Sequence, residues 1–177
     1  MKTEIEARIL DINKEELIKK LENMGATFVN NYEQKRYVYD FKPAVKGKWI
    51  RLRSDGEHST LTIKEINNDK IDGTKELEIL VSDIDDTNLI LEKLGYKARS
   101  YQENRRIRYV YNNIEIDIDS WPLIPTYVEF EGTSEEEIRE FVKLLGYKTS
   151  DLTTLNVNKI YEYYGLDIDS YAVLKFD

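Results

Sequence analysis

Glu4-Ile5-Glu6-Ala7-Arg8-Ile9 alternates charged with apolar side chains near the start of the 177-residue sequence. Successive side chains of a β-strand point to opposite faces of its sheet, so this stretch predicts a strand with one charged and one apolar face. Glu4 and Glu6 then stand side by side on the charged face. Because neighbouring like charges repel, this pair indicates nearby cations rather than a surface built only for stability.

The same unit recurs twice along the chain. Each Glu-x-Glu strand, at 4–6, 76–78 and 129–131, leads into an amphipathic segment that ends at a glycine. The apolar spacing predicts helices over 14–23, 85–93 and 135–144, and a fourth over 154–164. The expected N-terminal caps and the glycines that close the helices are Asn13, Ser82 or Asp83, Ser134, Gly25, Gly95 and Gly146.

Period-2 patterns between these units predict further strands over 33–41, 48–54, 59–66, 103–111 and 113–120. We expect an α+β fold with a single domain over 1–177. The helices need an apolar surface on which to pack, and the strands offer one on a single face. If the sheet closes on itself, the prediction is a closed eight-stranded antiparallel β-barrel with the helices packed outside, which turns the charged faces into a tunnel.

The predicted lumen holds a large set of charged side chains. Its acids are Glu4, Glu6, Glu76, Glu78, Asp117, Asp119, Glu129 and Glu131, and its bases are Arg8, Arg51, Arg53, Lys64, Arg106 and Arg108. Buried charges are costly without partners. Arginine forks match phosphate oxygens, and carboxylates suit Mg²⁺ or Mn²⁺, so a polyphosphate with a divalent metal satisfies both sets. Two other interpretations are mutual salt-bridging and a solvated sheet face.

Composition restricts the class of protein further. The net charge of −8 disfavours general nucleic-acid binding. The sequence has no cysteine, which excludes a thiolate metal site and a cysteine nucleophile. It also has no apolar run long enough for a bilayer and no signal-peptide pattern, so we expect no membrane association and a cytoplasmic location.

The ordered series of charged strands resembles the CYTH superfamily of triphosphate tunnel metalloenzymes. The N-terminal motif of that family, Glu-x-Glu-x-Lys, matches Glu4 to Arg8 with arginine in place of lysine. The later motifs match Arg51 with Arg53, Thr62 with Lys64, Glu76 with Glu78, Arg106, Asp119, Glu129 with Glu131, and Lys159. The basic strand of the family often reads Lys-x-Arg, and here Asn104 stands where the lysine would be; Arg108 is expected to replace it. Trp121-Pro122-Leu123-Ile124-Pro125 departs from the family's glycine-containing loop.

The resemblance implies roles for these residues. It implies that the triphosphate is bound by Arg51, Arg53, Lys64, Arg106, Arg108 and Lys159. It implies that Mg²⁺ or Mn²⁺ is held by Glu4, Glu6, Glu76, Glu78, Asp119, Glu129 and Glu131. The catalytic residues are then Glu4, Glu6, Arg8 and Asp119.

Three functions remain open on this basis. The favoured one is metal-dependent hydrolysis of a small-molecule nucleoside, thiamine or inorganic triphosphate. A class IV adenylate cyclase, forming cyclic AMP and pyrophosphate, would use nearly the same side chains. A non-catalytic polyphosphate- or nucleotide-binding module would keep the bases but could lose the acids, and all three Glu-x-Glu pairs are present. A homodimer is left open, and the tail from Asp167 to Asp177 offers an edge strand or a dimer contact.

Overall fold

The computed structural model describes residues 1–68 and 70–177, which form strands and helices in an α+β arrangement. The strands are β1 (Lys2–Glu4), β2 (Glu6–Ile9), β3 (Thr27–Asp40), β4 (Lys48–Ser54), β5 (Ser59–Ile66), β6 (Thr74–Val81), β7 (Ser100–Tyr111), β8 (Ile114–Ser120), β9 (Tyr127–Glu131) and β10 (Val173–Leu174). The helices are α1 (Lys14–Asn23), α2 (Ile84–Lys93), α3 (Glu135–Leu144) and α4 (Val157–Tyr163).

The strands form a nearly closed antiparallel barrel, as the sequence predicts. The strand order is β1-β6-β5-β4-β3-β7-β8-β9-β2. Because β1 pairs with β6 and β2 pairs with β9, the N-terminal segment joins the two ends of the sheet. This path has nine strands where we predicted eight. The first strand is interrupted at Ile5, where the Glu6 amide donates to the carbonyl of Ile71 in a loop.

The helices begin at side-chain caps that the sequence indicates. The side chains of Asn13, Asp83 and Ser134 accept hydrogen bonds from backbone amides in the first turns of α1, α2 and α3. Helix α4 is shorter than predicted because Asn156 caps it, accepting from the Lys159 amide. The C-terminal tail supplies β10, which pairs in parallel with β7, so the tail does provide the edge strand.

The apolar outer faces of the strands carry the main core. Leu17 and Leu21 of α1 and Phe141 of α3 pack with Phe130 and Ile116 of the barrel, and all are buried. The apolar residues of β8 and β9 therefore face the helices. Their charged neighbours at alternate positions must face the lumen, which is how the core orients the site.

Phe130→Ala should lower the free energy of unfolding by about 3–5 kcal/mol, since it removes a ring from the centre of this core. Phe130 is fully buried, with its ring centroid 5.9 Å from that of Phe141. Chemical denaturation measures the loss. Leu77→Ala is the matched control, because Leu77 is 49% exposed on the outer face of β6; a loss for Phe130→Ala no larger than the control's would contradict this core.

Candidate functional site

The barrel contains a cavity of about 1020 Å³. Of the charged residues predicted for the lumen, all line it except Asp117 and Asp119, which are buried behind the lining side chains. The lining residues that the sequence predicts are Glu4, Glu6, Arg8, Arg51, Arg53, Lys64, Glu76, Glu78, Arg106, Arg108, Glu129, Glu131 and Lys159. The alternation of each strand thus predicts the correct face.

One side of the lumen is rich in carboxylates. This acidic wall is formed by β2, β8 and β9 and consists of Glu6, Asp117, Asp119, Glu129 and Glu131. Arg8 lies among these acids, pairing with Glu6 at 2.9 Å and with Glu129. Burial alone would raise the pKa of Glu129, but Arg8 and Arg106 outweigh it and hold that pKa well below its ordinary value. Glu129 therefore stays ionised in the barrel.

Arg106 is the main counter-ion of the acidic wall. Its guanidinium contacts Asp119 at 2.6 and 2.8 Å, Asp117 at 2.5 Å and Glu129 at 3.4 Å. Asp119 is buried and contacts Arg106, which lines the cavity. Burial raises the pKa of Asp119 despite Arg106, with Glu129 and Asp117 adding to the rise. This side of the lumen has more negative charge than its arginines neutralise.

A second group of acids lies where β1, β5 and β6 meet. The Lys64 ammonium contacts Glu4 at 3.0 Å and Glu76 at 2.6 Å. Burial raises the pKa of Glu4 to about 8; Lys64 opposes the rise, and Glu6 and Glu76 reinforce it. For Glu76 the effect of burial is outweighed by Lys64 and Arg51, which lower its pKa to about 2. Thus Glu4 and Glu6, neighbours on one face in sequence, contact different cations.

The raised pKa of Glu4 predicts a pH-dependent stability. Between about pH 4.5 and 8 the folded chain retains a proton that the unfolded chain releases, so stability falls as pH rises through that window. We expect a loss of up to about 5 kcal/mol, since each pKa unit corresponds to about 1.4 kcal/mol, measured by urea denaturation with a metal chelator present. Glu4→Gln should remove this loss, whereas the outward-facing Glu65→Gln should keep it. Parallel pH profiles for wild type and Glu4→Gln would contradict the assignment.

The opposite side of the lumen is rich in guanidinium groups. This basic wall consists of Arg36 on β3 and Arg51 and Arg53 on β4. Arg51 contacts Glu76 at 3.3 Å and Glu78 at 3.2 Å, while Arg53 lies farther from Glu78, at 3.9 Å. Burial, together with Arg51 and Arg106, lowers the pKa of Arg53 to about 9, although Glu78 and Glu76 oppose the change. The wall therefore has positive charge available for an anion.

Arg36 is a lumen residue that the sequence motifs do not indicate. It lies in register with Arg53 on β4 and Gln102 on β7. The sequence does hold a signal for its inward orientation. Tyr37 and Tyr39 occupy alternate positions on the outer face of β3, so Arg36 and Val38 point to the lumen. The expected substitute for the missing lysine, Arg108, is instead bound by Asp117 and Glu115. Arg36 is the residue that hydrogen bonds to Asn104.

Lys159 enters the lumen lining from outside the barrel. It lies in the first turn of α4, and its ammonium contacts Glu162 at 2.6 Å. The other predicted site residues lie on strands, whereas Lys159 lies on a helix, as the sequence predicts. Its position depends on α4 packing through Tyr161, whose hydroxyl donates to the carbonyl of Pro122 at 2.6 Å.

The lumen has the donor chemistry for a hard divalent cation but holds its acids in ion pairs. Carboxylate oxygens are the ligands that Mg²⁺ and Mn²⁺ prefer. Within residues 1–68 and 70–177, no group of three or more acidic, histidine or cysteine side chains is already arranged around one metal position. Glu6 and Glu131 are directly opposite each other across β2 and β9, beside Glu129. The acidic wall fits such a cation if Arg8 shifts as the cation binds.

Fold and lumen together define a β-barrel tunnel protein whose lumen is lined by charged residues. The family model described as the CYTH domain matches residues 2–164, so the chain belongs to the CYTH family. A search of curated proteins gives no significant match. The described helices include none that is long and apolar enough to cross a membrane.

Solved structures share the fold at low sequence identity. The PH1012 protein from Pyrococcus horikoshii is 24% identical, with a TM-score of 0.76 over 86% of this chain and 96% of that one. A candidate adenylate cyclase from Vibrio parahaemolyticus is 14% identical, with a TM-score of 0.76 over 91% and 98%. The candidate adenylyl cyclase HpAC1 from Hippeastrum, described as having a dominant triphosphatase activity, is 15% identical, with a TM-score of 0.61 over 94% and 97%.

Proposed function

We propose that this protein is a divalent-metal-dependent hydrolase of a small-molecule triphosphate that binds inside the barrel. The observation that carries the proposal is the division of the lumen into an acidic wall and a basic wall. A triphosphate with its metal ion has the same division, because its oxygens need cations while the metal needs oxygen ligands. Membership of the CYTH family supports the same class of substrate.

The bases of the lumen bind the phosphate chain in this proposal. They are Arg51, Arg53, Lys64, Arg106, Arg108 and Lys159. Arg51 and Arg53 present forks from one strand, and Lys64 stands on the neighbouring strand β5. Phosphoryl transfer depends mainly on positioning and on neutralising charge, so these side chains lower the barrier by holding the phosphates in line and out of bulk water.

The acids hold the metal ion in this proposal. The candidate ligands are the acids that line the lumen: Glu4, Glu6, Glu76, Glu78, Glu129 and Glu131. When bound, Mg²⁺ or Mn²⁺ would neutralise phosphate charge and polarise the bond that breaks. Arg8 keeps Glu6 and Glu129 oriented toward the lumen, and Asp119 orients Arg106. Glu4, Glu6 and Arg8 form the catalytic group, and Asp119 is a positioning residue that acts through Arg106.

A cyclase is the second candidate because of the size of the lumen. A cavity of about 1020 Å³ lies at the upper end of the range for small-molecule sites and has room for a nucleoside beside its phosphates. In that reaction the ribose 3′-hydroxyl attacks the α-phosphorus and pyrophosphate leaves. The description of HpAC1 favours hydrolysis for a protein of this fold.

Product analysis decides between these candidates. The protein is incubated with Mg²⁺ or Mn²⁺ and, separately, ATP, thiamine triphosphate or tripolyphosphate, and the products are resolved by chromatography. We expect orthophosphate, with no release when a chelator is present. Cyclic AMP with pyrophosphate would assign the cyclase instead. Tight binding of all three compounds without any product would assign a non-catalytic binding module.

A further inference from the structure

Arg36 is a buried cation that forms no ion pair with an acid among residues 1–68 and 70–177. The residue is 7% exposed on the lumen side of β3. Its Nη2 donates to the side-chain oxygens of Gln34, at 3.1 Å, and Asn104. Its Nε has no hydrogen-bond acceptor among the described residues. Both acceptors are neutral amides, so they satisfy hydrogen bonds and leave the positive charge uncompensated.

The surroundings of Arg36 increase this imbalance. Burial lowers the pKa of Arg36 well below its ordinary value, and Arg51, Arg53 and Arg106 lower it further. Asp119 acts in the opposite direction, but both of its oxygens are already bound by Arg106. Several guanidinium groups that converge on one region of a cavity create a site of strong positive potential. Such a site is stable when an anion lies among them.

Packing holds the Arg36 side chain in place before any ligand arrives. Its guanidinium lies 4.6 Å above the ring of Trp121, which is buried. Trp121 in turn packs edge-on against Tyr161 of α4, at 6.3 Å between ring centroids. A guanidinium fixed over an aromatic face loses little conformational freedom when it binds a ligand. This arrangement is typical of a recognition residue.

We propose that Arg36 is a further anion-binding residue, which binds a phosphoryl group on the Trp121 side of the tunnel together with Arg51 and Arg53. Asn104 on β7 stands where the family often has a lysine, and Arg36 on β3 supplies a positive charge in its place. The assignment of the anion as part of a triphosphate rests on the proposed function. The existence of the anion site rests only on the arrangement of the guanidinium groups and Trp121.

Calorimetric titration with tripolyphosphate, in the presence of a chelator, tests the proposal without turnover. We expect Arg36→Met to weaken binding about 10- to 100-fold, the range for losing hydrogen bonds to a charged group. The ligand-free variant should melt at the same or a higher temperature than wild type, because a repulsive charge has gone. A lower melting temperature together with unchanged tripolyphosphate affinity would overturn the proposal and leave Arg36 as a packing residue.

Arg99→Met is the matched control. Arg99 also lines the cavity, but its charge is already paired with Asp40 and Asp169, each at 3.3 Å. We expect this variant to keep tripolyphosphate affinity within about threefold of wild type, because the loss of a half-buried charge that is already paired with two acids changes little. If both variants lost the same tripolyphosphate affinity, the effect would come from the total positive charge of the cavity. That result would overturn a specific role for Arg36.

A second measurement leaves Arg36 intact. The chain has two tryptophans, so Trp49→Phe makes Trp121 the sole tryptophan reporter. Tripolyphosphate should change the emission of Trp121 with the midpoint found by calorimetry. Binding without any change in emission would overturn the proposal. These tests can fail independently of the proposed function. If tripolyphosphate binding depends on Arg36 but the protein hydrolyses no triphosphate, the anion site stands and the proposed hydrolase activity is contradicted.

Discussion

Triphosphate turnover should fall by at least about 100-fold when Glu4 and Glu6 are both replaced by glutamine. The replacement keeps side-chain size but removes two carboxylates that the proposal assigns to the metal ion. Loss of a residue that merely orients a metal ligand already lowers metal affinity or activity roughly 10- to 100-fold, so loss of two ligands should have a larger effect. Metal-free tripolyphosphate affinity should be equal or higher, because Lys64 and Arg8 lose acids that compete for them. Steady-state kinetics and calorimetry measure the two quantities.

Glu65→Gln is the control for this double variant. Glu65 lies on β5 beside Lys64 but points away from the lumen and pairs with Lys48 at 2.8 Å. Its turnover should match wild type. Wild-type turnover in the double variant would refute the metal assignment of Glu4 and Glu6. A loss of metal-free tripolyphosphate binding in the double variant would instead give these acids the role of orienting the bases.

Arg106→Met should lower the free energy of unfolding by about 3–5 kcal/mol, the range for breaking a buried ion pair. The substitution leaves Asp119, Asp117 and Glu129 without the guanidinium that contacts all three. Small domains are stable by about 5–15 kcal/mol, so this variant approaches the limit of folding. Urea denaturation of the ligand-free protein measures the loss.

Arg105→Met is the control for Arg106→Met because it changes the adjacent residue on the outer face of β7. The Arg105 side chain is 57% exposed and lies 3.6 Å from Glu33. We expect its effect to stay within about 1 kcal/mol. Similar losses for the two variants would contradict the view that Arg106 neutralises the acidic wall.

Adding Asp119→Asn to Arg106→Met should recover part of the stability, since it removes one of the unpaired charges.

Much of the fold follows from local patterns in the sequence. Alternation determines which face of the sheet a side chain occupies. The lumen residues of a strand such as β4 or β9 could therefore be predicted from the sequence of that strand alone. Caps and terminal glycines place α1 and α3 at the predicted residues. The interruption at Ile5 could not be predicted, because it depends on the Glu6 amide meeting the carbonyl of Ile71 in a distant loop.

The site was less predictable than the fold for two physical reasons. Alternation gives the face of a residue but not its depth, so Asp119 looked like a lumen ligand although it lies behind Arg106. The pairing of charges depends on strand register, so the sequence could not show that Glu4 and Glu6 contact different cations. Arg36 was missed because it stands in a mixed stretch, Gln34-Lys35-Arg36, with no recurring partner of the same charge.

The most direct test of the triphosphate tunnel is a crystal structure with Mn²⁺ and a non-hydrolysable imido analogue of tripolyphosphate, measured at the manganese absorption edge. We expect the phosphate chain inside the barrel, in contact with Arg51, Arg53 and Arg106. We expect manganese on the side of the lumen that carries Glu6 and Glu129. An analogue bound only on the outer surface, or manganese away from the carboxylates of the lumen, would contradict the proposed function.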